Sequence, residues 1–229
     1  MGLKANLKAR QAVALQSRGS SEAAMKAYEE ALAEGATDAR AILSYTILLI
    51  RSGEYAKARE LLVKIQKDPA IGPDQKRQLF VNYAVCVYKM GEIEKGIELL
   101  ERQHKHTPCG IVYETLGYLY IEIGDAEKAL QYNQEAMEYD EDDSVVLDNL
   151  GQTYYRLLGD KATAKTYFDK AIAIKPSQID TLYFLAQYDL EAGDKAAAKE
   201  KLETALEGRF SALNYASKED VEKLLATLQ

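Results

Sequence analysis

The sequence predicts an all-α chain of stacked helical hairpins, and three observations predict it. Glycines recur at Gly19, Gly53, Gly91, Gly124, Gly159 and Gly193, in steps of 34, 38, 33, 35 and 34 residues. Each closes a run of apolar residues at helical spacing, where glycine accepts the left-handed C-terminal conformation cheaply. Five residues beyond each glycine stands a small residue, namely Ala24, Ala58, Gly96, Ala129, Ala164 and Ala198, as close packing of one helix on another requires. Composition agrees, with 47% hydrophobic residues, 28% charged residues and only 4 prolines in 229. A repeat array grows by adding units rather than by enlarging one core, so length alone does not set the number of domains.

Repeat one spans about 5–38, and its second helix carries Ala24, Tyr28 and Ala31 at helical spacing. Repeat two, about 39–72, is predicted to pack Ile42, Tyr45 and Leu49 against Ala58, Leu62 and Ile65. Repeat three, about 73–109, follows the longest step, and its four extra residues amount to about one helical turn. Pro73 offers a start to a lengthened first helix, which places Phe80, Tyr83, Ala84 and Val87 on its buried face. Repeat four, about 110–143, carries Tyr113, Leu116, Gly117 and Tyr120. Repeat five, about 144–178, has one more residue between Gly151 and Gly159 than repeat four has between Gly117 and Gly124. Repeat six, about 179–208, presents Leu182, Leu185 and Ala186 to Ala198, Leu202 and Ala205. In 209–229, Ser217 and Asp220 are spaced to cap a last helix whose apolar stripe is Val221, Leu224, Leu225 and Leu228. Two positions depart from the pattern: Asn133 and Gln103 stand where sibling repeats place an aromatic and a small residue. They predict a partly polar, more easily bent junction between repeats three and four.

The net charge is −7, but it is unevenly spread, with 17 basic and 13 acidic residues before Gly110 and 12 and 23 after it. The acidic half argues against nucleic acid as a partner along the whole surface. No stretch approaches the roughly 20 apolar residues of a membrane span, and the N-terminal residues lack the apolar run of a signal peptide. Cys86 and Cys109 are too few for a disulfide framework, so a cytoplasmic location is expected. His104, His106 and Cys109 match no standard zinc spacing. The acidic turn of Glu138 and Asp140 to Asp143 lacks the glycine of a calcium loop and reads as solvated. With no phosphate-binding loop and no marked nucleophile–base pair, neither a cofactor nor an enzymatic reaction is expected.

Leu147 to Pro176 is the clearest copy of the unit, with Leu150, Gly151, Tyr154, Gly159, Asp160, Ala164, Phe168, Ala171 and Pro176 at its marked positions. This stretch resembles a tetratricopeptide repeat (TPR). The resemblance implies a right-handed superhelix of tandem hairpins, an α-solenoid, with the last helix as its cap. It also implies a protein or peptide partner, bound in a concave groove lined by the first helix of each hairpin.

Carried over residue by residue, the groove would be lined by Asn82, Glu114, Tyr118, Glu122, Asp148, Asn149, Gln152, Tyr155, Asp180, Tyr183 and Gln187. One subgroup grips the carboxylate end of chaperone tails with lysine, asparagine and arginine. Here Asn82 and Asn149 could stand for the asparagine, but Val81, Val85, Asp148 and Gln152 occupy places where cations would be needed. The acids and tyrosines favour instead a basic or amide-rich segment across repeats four to six. Asp148, Asn149, Gln152 and Tyr155 are expected to be free of the packing that holds their hairpin. An alternative is a structural spacer or self-association module, part of a larger protein, membrane-anchored or not, and homo-oligomeric through its terminal repeats. The exposed first helix of repeat one favours it.

Overall fold

The glycine period is written directly into the backbone. All six glycines take a positive φ, from 69° at Gly159 to 82° at Gly19 and Gly193. At each, the chain leaves one helix and starts the next. At Gly19 the closure is made by two backbone bonds, Gly19 N–H to Gln16 O (3.0 Å) and Ser20 N–H to Leu15 O (3.0 Å). They satisfy carbonyls that the helix end would otherwise orphan. The same six-residue bond recurs from Glu54 to Leu49, Glu92 to Val87, Asp125 to Tyr120 and Asp194 to Asp189.

The computed structural model describes residues 2–106 and 108–228. Among them are thirteen α-helices and no strand. The hairpins pair α1 (Gly2–Ser17) with α2 (Ser21–Ala33), α3 (Ala39–Arg51) with α4 (Tyr55–Ile65), and α5 (Pro73–Lys89) with α6 (Ile93–His106). They continue with α7 (Gly110–Glu122) and α8 (Ala126–Tyr139), α9 (Ser144–Gln152) and α10 (Lys161–Ile174), and α11 (Ile179–Glu191) and α12 (Lys195–Leu206). The last helix, α13, is Lys218–Ala226. Aspartates start many of these helices: Asp38, Asp125, Asp143, Asp160 and Asp194 each accept a backbone N–H of the first turn. Ser217 and Asp220 cap α13 reciprocally.

Two departures from the average repeat have physical outcomes. The four extra residues of repeat three lengthen its first helix, α5, to 17 residues, against 13 in α3, α7 and α11. The single extra residue of repeat five is absorbed as a π-helical segment, Thr153–Leu157, that continues α9. Its closing bond accordingly runs from Asp160 N–H to Tyr154 O, one residue further back than in the other repeats. An inserted residue thus widens one turn instead of shifting the rest of the hairpin.

The chain divides into two compact units, Met1–Gln103 and His104–Gln229. In the first, one continuous apolar cluster runs from Ala5 to Cys86 and includes Ile42, Tyr45, Leu49, Ala58, Leu62 and Ile65. Phe80 and Tyr83, assigned to the buried face from sequence, are only partly buried. In the second unit the apolar clusters are centred on Leu150, on Phe168 with Phe184, and on Leu182 with Leu202. This unit also holds buried polar residues, among them Asp148, Asn149, Gln152, Thr153, Asp180 and Thr181.

Asn133 corrects the expectation made for it. It is fully buried inside its own hairpin, where its amide donates to Ala129 O at 2.8 Å and its Oδ1 has no partner. It lies over Gly117 so closely that a Cβ there would come within 2.0 Å of it. Phe168 occupies the matching seat over Gly151, where a Cβ would meet its ring at 2.5 Å. Asn133 is therefore a substitute for the hairpin's aromatic filler and not a polar face at a junction. Gln103 is half-buried.

Candidate functional site: the first-helix face of the second unit

First helices lie beside one another in the second unit, α7 against α9 and α9 against α11. A residue of one therefore reaches the next repeat, about 34 positions along. A polar chain crosses this face. Glu122 accepts from Arg156 Nη1 at 2.8 Å, and the same Nη1 donates to Gln152 Oε1 at 3.0 Å. Gln152 Nε2 donates to Asp148 Oδ2 at 2.7 Å, and Thr181 Oγ1 donates to Asp148 Oδ1 at 2.5 Å. Asn149 Nδ2 donates to the main-chain oxygen of Glu114 at 3.0 Å. Three of these bonds, Arg156 to Glu122, Asn149 to Glu114 and Thr181 to Asp148, tie one repeat to its neighbour.

Asp180 is held differently. Its Oδ2 accepts from Asn214 Nδ2 and from the Tyr215 backbone, each at 3.0 Å, and its Oδ1 accepts from the Ala216 backbone at 3.1 Å. Burial raises its carboxyl above the ordinary aspartate value, while these donors and Arg156 act in the opposite direction. Burial is also the main cause at Asp148, pushed up to about 7 with Asp180 contributing and the Thr181 and Gln152 bonds opposing.

Glu114 is likewise pushed up to about 7, first by burial, then by the charge of Asp143 within hydrogen-bonding reach, and then by Asp140. Asp143 also caps α9 through Val145 N–H (2.7 Å) and Val146 N–H (3.2 Å). The acidic turn read from sequence as merely solvated is thus partly built into the fold. Neither Glu114 nor Asp143 has an ion-paired cation among the described residues.

The structure places the predicted groove residues in different surroundings. Asp148 (3% exposed), Asn149 (2%) and Gln152 (0%) are buried, and the bonds of Asp148 and Asn149 reach the neighbouring repeats, to Thr181 and Glu114. For Tyr155 the expectation that it is free of its hairpin's packing is corrected, since its half-buried ring packs on Phe168 of the same hairpin as well as on Phe184 and Tyr188, and its hydroxyl reaches Gln187 Oε1 at 3.4 Å. Asp180 and Tyr183 lie under residues 214–216, with Tyr183 against Tyr215 at 6.2 Å. Tyr118 is buried, and Glu114 and Glu122 are half-buried. Asn82 belongs to the first unit, where it is buried and accepts from Gln78 at 2.8 Å.

Sequence reasoning missed Arg156, Thr181, Asn214 and Tyr215. Only Arg156 carried a local signal, four residues beyond Gln152 and so one helical turn above it. His104 packs edge-on to Tyr113 (4.3 Å) and Tyr132 (5.6 Å). Among the described residues no group of three or more His, Cys, Asp or Glu is placed to hold a metal ion. Burial pushes the Cys86 thiol up to about 12, which leaves it unreactive at neutral pH.

Tetratricopeptide repeat models match residues 7–114, 111–143 and 146–178. The chain belongs to the tetratricopeptide repeat family. Among curated proteins it is similar to the mitochondrial import receptor subunit TOM70 of Rattus norvegicus, 24% identical over 168 residues. That stretch is 73% of this chain but 26% of the receptor subunit. A similar match is found to the Mus musculus protein. Among solved structures, a thermophilic TPR protein from Thermus thermophilus aligns with TM-score 0.67 and 19% identity, over 83% of this chain and 98% of that one. The type IV pilus biogenesis factor PilW aligns with TM-score 0.68 and 16% identity, over 98% of this chain and 100% of that one. At these identities the structural likeness establishes the fold. Among the described residues no helix is long and apolar enough to cross a membrane.

Proposed function

We propose that the chain is a non-enzymatic scaffold that docks a basic segment of a partner protein on the first-helix face of repeats four to six. The observation that carries this reading is the Glu114–Asp143 pair: two carboxylates share one half-buried place, and no ion pair to either is found among the described residues. Elsewhere on the face acids are already served, Glu122 by Arg156, Asp148 by Thr181 and Gln152, and Asp180 by three N–H donors. A lysine or arginine brought by a partner would replace the proton on Glu114 with a charge-assisted bond. Family membership supports protein binding in general, and the import receptor similarity is in keeping with recognition of a protein segment. Two unpaired thiols, Cys86 and Cys109, suit a reducing, cytoplasmic compartment.

The test is an array of capped lysine- and arginine-bearing peptides, each beside its glutamine counterpart, probed with the intact chain and with Glu114→Lys. Peptides that need their cation and lose binding to the variant support the reading. Equal binding of basic and glutamine peptides contradicts it.

One observation favours a second reading, self-association. Leu3 and Leu7, one turn apart on α1, are 87% and 59% exposed, and such a pair is buried when another helix packs on it. Light scattering of Leu3→Ser/Leu7→Ser beside the unchanged chain decides it, since a self-associating chain loses mass on substitution and a monomer does not.

A further inference from the structure

Between α12 and α13 the chain turns back onto the first-helix face. Asn214, Tyr215 and Ala216 give Asp180 three hydrogen bonds, two of them from successive backbone N–H groups. The Tyr215 ring stacks on Phe184 at 5.1 Å with an interplanar angle of 21°, and the Arg156 guanidinium lies 4.1 Å from its centroid on the same face of the array. Tyr183 closes one side at 6.2 Å. Ring stacking, a cation over the ring and a carboxylate gripping the main chain are how proteins hold an extended aromatic peptide. Tyr215 is nevertheless 41% exposed. The cap that starts α13 is made by Ser217 and Asp220, while Ala216 and Val221 are both buried in the apolar cluster around Leu182 and Leu202.

We propose that this seat is a docking position for a partner segment carrying an aromatic residue followed by a small one, and that residues 214–216 fill it in the free chain. The proposal rests on the reading of this face as a protein-binding surface and extends it to repeats five and six. The chemistry restricts the occupant. Proline is excluded at the two positions that donate to Asp180, and an acidic residue there would meet Asp180 and Asp148. An aromatic ring is required between Phe184 and Arg156. Basic and aromatic positions of one partner segment would then be read at separate places, Glu114–Asp143 and Asp180–Phe184–Arg156.

The probe is the chain's own segment as a labelled peptide, residues 209–217, added to the full-length protein. Tyr215→Ala removes the ring and leaves the backbone donors to Asp180 in place, so the chain's own segment competes less well and this variant should bind the peptide about tenfold or more tightly than the unchanged chain does. A peptide carrying the same alanine should not bind. A folded variant, judged by its helical circular dichroism, that binds no better than the unchanged chain overturns the proposal. If the variant does not fold, the unchanged chain decides: saturating peptide should speed amide hydrogen exchange at Tyr215 and Ala216 about tenfold, and unchanged exchange there overturns the proposal. Binding of capped lysine peptides is scored separately. Its loss with the aromatic seat intact would refute the basic-segment reading alone, and the reverse pattern would refute this inference alone.

Discussion

Asp180 and Glu114 are both carboxylates of first helices in the second unit, and burial pushes both above their ordinary values. They differ in what answers them. Asp180 is met by three N–H donors from residues 214–216, whereas Glu114 is met by Asp143, another acid. Burial of a carboxylate is therefore no guide to function by itself. Where the chain supplies the donors, the group is an anchor; where it supplies a second acid, the charge is left for something else to neutralise. The first arrangement costs little while folded and much when cut, and the second penalises the folded state until a cation arrives.

The largest effect should come from the anchor. Asp180→Ala leaves buried donors unmet and should cost about 3 kcal/mol, read as a lower melting temperature with new protease cleavage in 209–217. A slightly smaller loss is expected from Gly151→Ala, which drives a Cβ to within 2.5 Å of the Phe168 ring and should cost about 2 kcal/mol in denaturant unfolding.

The unanswered pair gives a pH signature of opposite sign to an ordinary salt bridge. A carboxyl held near 7 stays protonated in the folded chain where the unfolded chain has already ionised. Stability should therefore fall as pH rises from the usual carboxylate range through about 7, with contributions from both Glu114 and Asp148. Glu114→Gln should flatten the fall in melting temperature between about pH 5 and 8 and recover about 1–2 kcal/mol at the upper end. An unchanged slope would mean that Glu114 is already neutralised. The smallest expected effect is a gain. Asn133→Leu replaces an amide whose Oδ1 has no partner with a filler of the kind that Leu202 provides in repeat six. It should stabilise the fold by about 1 kcal/mol in denaturant unfolding.

The hairpins were legible because they rest on local rules. Glycine at a positive φ, a small residue where helices touch and an aspartate at a helix start each act within a few residues of themselves. The extra residue of repeat five was visible too, although its absorption as a π turn was not. The face was harder to read for a reason that Asp148, Asn149 and Gln152 make plain. As types they belong at a surface, and helical spacing puts them on an outward face of their own hairpin. What meets them is the repeats on either side, Thr181 reaching Asp148 from 33 residues ahead and Glu114 meeting Asn149 from 35 residues behind. Residues 209–217 were invisible for the same reason in stronger form, since they have no periodicity and their contacts with Asp180 span 34 to 36 residues.

Proton release is the most direct consequence of an unanswered carboxylate pair. A lysine side chain entering between Glu114 and Asp143 must expel the proton that Glu114 holds. Titration calorimetry of a capped lysine peptide near pH 6.5 should then show a binding heat that changes with the ionisation enthalpy of the buffer, by an amount equal to a released fraction of a proton. Glu114→Gln should abolish that dependence and weaken binding about tenfold. A binding heat independent of buffer, with equal affinity in the variant, would contradict the docking of a cation at this pair.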